Sequence, residues 1–408
     1  MEKDSSHSVK RWSTEMGQRC WLLSVCCLLL CASCRTDDDI VMPTVTEVDH
    51  VKTDYLGLYV LCEGNMGSNK ATLDYLDLAN GQYCKNIFPS RNPNQVKELG
   101  DVGNDAKIYG QRLWLVINCS NKVEVCTADS AFSLGHVDIP NCRYLAFHKG
   151  YAYVSSYVGP VGGASELGSV YKVDTLTLRI AGQITVGYQP EEMAVVGDKL
   201  YVANSGGYNA MQGNDYDHRL SVIDLNSFTE ERKINVGPNL FRVRADRQGR
   251  LWVASYNNPL PGALYLLQTD ANGQMQVTDT LQQMTSDFDI VGDTLYYCGD
   301  RVEGSVRKRF FGAIDIRTRQ TITDHLLQLA DDGRVDTPDG LQRINTPQGI
   351  KVHPLTGAVY IMDGTNYVSS GWLWCFDREG RFQWRVSTGD IPAHACWLKK
   401  ETIISNNP

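Results

Sequence analysis

PEEMAVVGD (residues 190–198), LYVANSGG (200–207), HRLSVIDLNS (218–227) and EERKINVG (230–237) follow one another as four short segments rich in Val, Ile, Leu and Tyr. Gly, Asp and Asn punctuate them, so they read as an inner, a second, a third and an outer strand of one antiparallel unit. The second strand recurs outward in both directions. LYVLCEGN starts at Leu58, LWLVINCSN at Leu113, AYVSSYVG at Ala152, LWVASYNN at Leu251, LYYCGD at Leu295 and VYIMDGTN at Val359. The aligned aromatics are Tyr59, Trp114, Tyr153, Tyr201, Trp252, Tyr296 and Tyr360, and successive starts lie 55, 39, 48, 51, 44 and 64 residues apart. Third-strand equivalents accompany every copy, among them ATLDYLD at Ala71, GSVYKVD at Gly168 and GWLWCFDREG at Gly371.

A repeat of this length and composition predicts an all-β chain, a seven-bladed β-propeller with four-stranded blades. A β-sandwich would need no such period. The first copy begins at its second strand, with no inner strand before Gly57, while DIPAHACWLKK from Asp390 resembles an inner strand. The C-terminal segment is therefore expected to complete blade one and close the ring. The tail TIISNN from Thr402 reads either as an extra edge strand or as a broken eighth repeat.

The N-terminus carries a different message. Basic residues precede the apolar run WLLSVCCLLL (21–30), then come Cys31, Ala32, Ser33 and Cys34. This is the order of a secretory signal, and with Cys after Ala-Ser it resembles a bacterial lipoprotein cleavage site, except that Cys31 stands where Leu is usual. The organisation expected is a signal peptide over 1–33, a flexible tether over 34–53 lipidated at Cys34, and the propeller over 54–408. The acidic run Asp37–Asp39 just after Cys34 resembles the tag of surface-directed Gram-negative lipoproteins, so the expected location is the outer membrane, lipid-anchored and facing outward. The chain has a net charge of −8, and the leader is net +1, leaving −9 for the rest. That balance gives no footprint for nucleic acid or an anionic membrane, and no long apolar stretch follows the leader.

Eight of the thirteen cysteines follow Cys34, at 62, 84, 119, 126, 142, 298, 375 and 396, without zinc spacing. Most fall in apolar strand patterns and read as small core hydrophobes. No nucleophile elbow, phosphate loop, zinc-protease helix or dinucleotide fingerprint is present, so the chain reads as a binding protein without a cofactor. Asn214, Asp215, Tyr216 and Asp217 offer oxygens of the kind calcium takes, though an acidic loop is more often simply solvated.

Loop length separates the two faces of the ring. Turns between strands one and two are tight, as in KGYA at Lys149, VGDK at Gly197 and RQGR at Arg247. On the opposite face the connections are long: 63–70, 157–167, 205–217, 301–309 and the interblade stretch 330–345. Binding groups concentrate on such loops. They supply the candidate ligand-binding residues Asn65, Met66, Asn118, Tyr157, Asn204, Tyr208, Asn209, Tyr216, Tyr256, Asn257 and Tyr367. Amides donate and accept, and phenols add area at small entropic cost, which suits a ligand with many amide or hydroxyl groups. Asn also serves turns for backbone reasons alone.

The unit PEEMAVVGDKLYVANSGG with LSVIDLNSFTEERKINVG resembles the YncE-like propellers with a Tyr-Val-Thr-Asn type repeat. LYVLCEGNMGSNKATLDYLD, with the lipoprotein leader, is similar to a narrower group, the BtuG-type surface lipoproteins. That resemblance implies capture of vitamin B12 or a related corrinoid and handover to a TonB-dependent outer-membrane transporter of the BtuB type. The alternatives are a propeller binding another nutrient such as a glycan or a protein of an uptake complex, and a hydrolase or lactonase. The last would draw on Glu63, Glu191, Glu192, Asp287 or His394 at the channel mouth.

Overall fold

The computed structural model describes residues 42–159, 166–256, 262–283 and 285–401. The leader, Cys34, Asn257 and the tail from Thr402 lie outside the described residues. The described chain is a seven-bladed β-propeller. Blade four runs Pro190–Val196, Lys199–Asn204, Arg219–Asp224 and Thr229–Asn235 in consecutive antiparallel pairing, and blades two, three, five, six and seven repeat that order.

The recurrent second strand is continuously apolar because neighbouring blades cover both of its faces. Its residues alternate between the two interfaces, following the period of a pleated strand. In blade one, Tyr59 and Leu61 enter one core cluster while Leu58, Val60 and Cys62 enter another. In blade five, Leu251 and Val253 face one way, Trp252 and Ala254 the other. Six of the seven aligned aromatics are almost fully buried; Tyr296 is half-buried. The eight described cysteines are all free, five of them buried.

Closure follows the expected route. Pro392–Lys399 pairs antiparallel with Tyr55–Cys62 and supplies the missing inner strand of blade one. At the same seam, the buried Asp74 carboxylate of blade one accepts the Gly389 amide of blade seven at 3.0 Å and the Tyr83 hydroxyl at 2.8 Å. Farther round the ring, inner-strand carboxylates clasp the next blade. Asp105 accepts the Leu145 amide (2.9 Å), Glu192 that of Val243 (3.1 Å), Asp287 that of Ile350 (3.2 Å) and Asp289 that of Val352 (3.0 Å).

Three expectations need correction. The stretch 34–53 is not tether throughout: Thr44–Glu47 pairs with Gln82–Lys85 as a fifth, outermost strand of blade one. Residues beyond it remain attached, with the Trp384 indole donating to Asp49 O (2.8 Å) and the Val48 amide to Gly81 O (2.7 Å). The alternation Thr-Val-Thr is strand-forming, but lies too far from the repeat to be recognised as part of it. Second, 301–309 is not an irregular loop. Strands Thr294–Glu303 and Val306–Asp315 continue as one long hairpin turned by Gly304, whose φ of 63° suits the first central position of a two-residue turn. Third, the long loops include short helices, Gly207–Met211 and, in the first interblade connection, Ile87–Arg91.

Candidate functional site

On the long-loop face a depression of about 220 Å³ opens between blades one, two, three, four and seven. Its wall begins with the EGN stretch. Gly64 has φ 73°, and a Cβ there would fall 2.5 Å from the Lys70 backbone, so the loop folds tightly on itself only with glycine at this point. Beyond that turn Asn65 and the exposed Met66 face the depression, and the Asn65 amide donates to Val368 O at 2.9 Å, joining blades one and seven. Tyr367 completes that side, 45% exposed and held at φ 62°.

The opposite side is built on Arg143, at the start of the blade-three inner strand. Its Nε and Nη2 both donate to Glu191 Oε2 at 3.2 Å, and its guanidinium lies 4.8 Å from the Tyr157 ring centroid. The Tyr157 hydroxyl donates to Glu191, and the Tyr157 ring meets Tyr208 edge-on at 5.4 Å. Burial, with the Glu191 charge adding to it, pushes the Tyr157 hydroxyl well above its ordinary pKa, so it stays a neutral donor. Tyr208, carried by the short helix in the blade-four loop, presents the outer surface of this stack to the depression.

Below the depression lies a channel cavity of about 300 Å³. Arg242 of blade five reaches across to the Tyr144 hydroxyl of blade three, and His394 of blade one packs edge-on against Tyr144 at 6.2 Å. All three side chains line this cavity. His394 Nε2 lies 3.3 Å from Glu63 Oε1, out of hydrogen-bonding geometry, and no other described group bonds it. Deeper down, Asp287 accepts Arg242 Nε (3.2 Å) and Arg244 Nη2 (2.7 Å). Burial opposes its charge, but the Arg244 and Arg242 guanidiniums outweigh burial and hold its pKa below the usual carboxylate value.

Five of the expected ligand residues therefore meet here: Asn65, Met66, Asn118, Tyr208 and Tyr367. Asn118 is 3% exposed, and its amide is committed to Asn141 Oδ1 (2.6 Å) and Cys142 O (2.8 Å), so it shapes the wall. Tyr157 is buried beneath Tyr208 and acts through Arg143 and Glu191. Asn204 is fully buried and bonds Gly187 N, Arg219 O and Ser221 Oγ, which makes it a turn brace. Asn209 pins its own loop by donating to Asp215 O. Tyr216 is half-buried outside the depression, and Tyr256 stands on the Phe241 edge of blade five. The Asp217 carboxylate is taken up by Arg219 at 2.8 and 3.0 Å, not left open to a cation. Missed by the loop reading were Arg143 and Cys119. Arg143 lies on an inner strand and not in a long loop, which is why loop length did not point to it.

No known sequence family and no curated protein matches the chain. Solved structures do. A quinoprotein alcohol dehydrogenase-like protein from Bacteroides thetaiotaomicron aligns with TM-score 0.55 at 10% identity, over 85% of this chain and 79% of that one. A functionally unknown protein from Desulfotomaculum acetoxidans gives 0.57 at 10%, over 84% and 98%. Hydrazine synthase from Kuenenia stuttgartiensis gives 0.54 at 16%, over 68% and 77%. The likeness is one of fold.

Proposed function

We propose that this protein is a surface lipoprotein that captures a corrinoid on its long-loop face and hands it to a TonB-dependent outer-membrane transporter. The observation that carries the reading is the convergence of Asn65, Met66, Tyr208 and Tyr367 around one depression on the long-loop face. A corrinoid is a broad ring fringed with amides. It would lie across such a mouth, its rim meeting Asn and Tyr groups and its ring meeting Met66 and the phenol faces. A closed ring of blades fixes these groups in advance, which favours tight binding more than extra area would. Lipidation at Cys34 and outward placement are part of the proposal and rest on the leader.

Calorimetric titration with cyanocobalamin tests it. The expected Kd is nanomolar or tighter, about −12 kcal/mol; absence of binding at micromolar protein would eliminate the corrinoid and promote a glycan or a protein partner. A hydrolase is the second reading, favoured by one feature: the Glu63 and His394 pair at the mouth. Turnover of lactone or ester substrates that is lost in His394→Ala would support it over capture.

A further inference from the structure

The blade-six hairpin and the interblade stretch before blade seven bring three guanidiniums together near Tyr367. Arg307 Nη1 donates to Thr346 Oγ1 at 3.1 Å, and Thr346 Oγ1 donates in turn to Thr365 O at 2.6 Å, two residues before Tyr367. Arg309 Nε donates to Asn345 O at 3.0 Å and its Nη1 to Arg307 O at 2.9 Å. Arg343, two residues ahead of Asn345, completes the group and makes no ion pair among the described residues. One acid answers at close range: Asp300 Oδ2, 3.1 Å from Arg307 Nε. Asp332 and Asp363 are the other carboxylates that feel the cluster, and they are engaged by Arg334 and by the Asn345 and Thr346 amides respectively. Burial, then repulsion from Arg343 and Arg307, lowers the pKa of Arg309. A chain of net charge −8 thus holds a local excess of positive charge at the rim of its candidate site.

From this we infer that the cluster of Arg307, Arg309 and Arg343 is an anion subsite that reads a phosphodiester on the captured ligand. The inference rests on the corrinoid reading and deepens it. Guanidinium forks match phosphate oxygens, and charge-assisted bonds of this kind are among the stronger ones available at a surface. Complete corrinoids carry a phosphodiester linking the ring side chain to the nucleotide base, and cobinamide lacks it. A ligand seated over Tyr367 would have that group within reach of the cluster.

The test is competition titration of the full chain with cyanocobalamin and dicyanocobinamide, in the wild type, Arg343→Gln and Arg309→Gln. Arg343→Gln removes no ion pair of the scaffold, so it reports even if Arg309→Gln folds poorly. The expected result is that the wild type prefers cyanocobalamin. Arg343→Gln should weaken cyanocobalamin about tenfold, in line with a hydrogen bond to a charged group, leave cobinamide unchanged, and show a smaller loss at high salt. Equal wild-type affinity for the two, or equal losses for both in the variants, overturns the subsite and leaves corrinoid capture standing. Failure of both to bind the wild type removes the corrinoid reading and the subsite with it.

Discussion

The wall and the mouth of the central channel use ionisable side chains in opposite ways. Along the wall, Asp105, Glu192, Asp287 and Asp289 each bind a backbone amide of the next blade, so each charge is part of how the ring holds together. At the mouth, Glu191 meets the side chains of Arg143 and Tyr157, and Glu63 stands near His394. A side chain bound to backbone cannot change without loosening the scaffold, whereas a side chain bound to another side chain can be exchanged together with its partner. The wall is therefore committed to stability, while the mouth is the freer of the two to vary.

The largest expected effect breaks the frame that both regions share. Removing residues from Asp390 onward deletes the strand Pro392–Lys399 and leaves Tyr55–Cys62 as an unpaired edge against the channel. The truncated chain is expected not to give a folded monomer. Size-exclusion chromatography and thermal unfolding measure this, and a normal melt would show that the seam does not hold the ring.

Next in size is the wall itself. Asp287→Ala removes the carboxylate that Arg242 and Arg244 share, leaving Arg242 without an ion pair, and is expected to cost about 3–5 kcal/mol of stability, as breaking a buried pair does. The pH dependence has a definite sign. Because the folded-state pKa of Asp287 is depressed, its contribution is fully present above the unfolded carboxylate value of about 3.9 and is lost as pH falls through the folded value. The stability gap between wild type and Asp287→Asn should stay constant near neutrality and narrow below about pH 4. A gap that widens on acidification would contradict the clasp.

The mouth should respond in affinity. Tyr208→Ala removes the phenol that faces the depression and is expected to weaken cyanocobalamin by roughly 2 kcal/mol while the melt moves little. Tyr157→Ala, one layer down, should lose both affinity and stability, because its ring and hydroxyl hold Arg143 and Glu191 in place. If the two variants behave alike, the distinction between a contacting ring and a supporting one fails.

What the sequence revealed follows the same division. Blade number, blade order and the closing segment were legible because the second strand is buried on both faces in every copy, which leaves the same apolar phrase seven times over. The mouth was half legible. Loop length led to the face on which the depression opens, but a loop asparagine reads the same whether it lines that depression, like Asn65, or braces a turn, like Asn204. Tyrosine was equally ambiguous, since burial of Tyr157 depends on Arg143 and Glu191 arriving from two other strands. The strand Thr44–Glu47 was hidden for a different reason: it belongs to no repeat and pairs only because the edge of blade one is free to take it.

The smallest effect belongs to residues outside both wall and mouth. Lys199, at the short turn of blade four, pairs with Asp224 (2.6 Å) and also contacts Glu231, and all three side chains reach solvent. Exposed pairs of this kind contribute about 0–1 kcal/mol, so Lys199→Ala should lower stability by no more than that. Its effect on ligand affinity should be nil, because the turn lies on the face opposite the depression. Gln248→Ala, in the neighbouring blade, provides a second such position. A loss of affinity in either, comparable with that of Tyr208→Ala, would place the ligand on the short-turn face and reverse the assignment of the two faces. A loss of stability as large as that of Asp287→Ala would show that surface turns, and not the channel clasps, hold the blades in register.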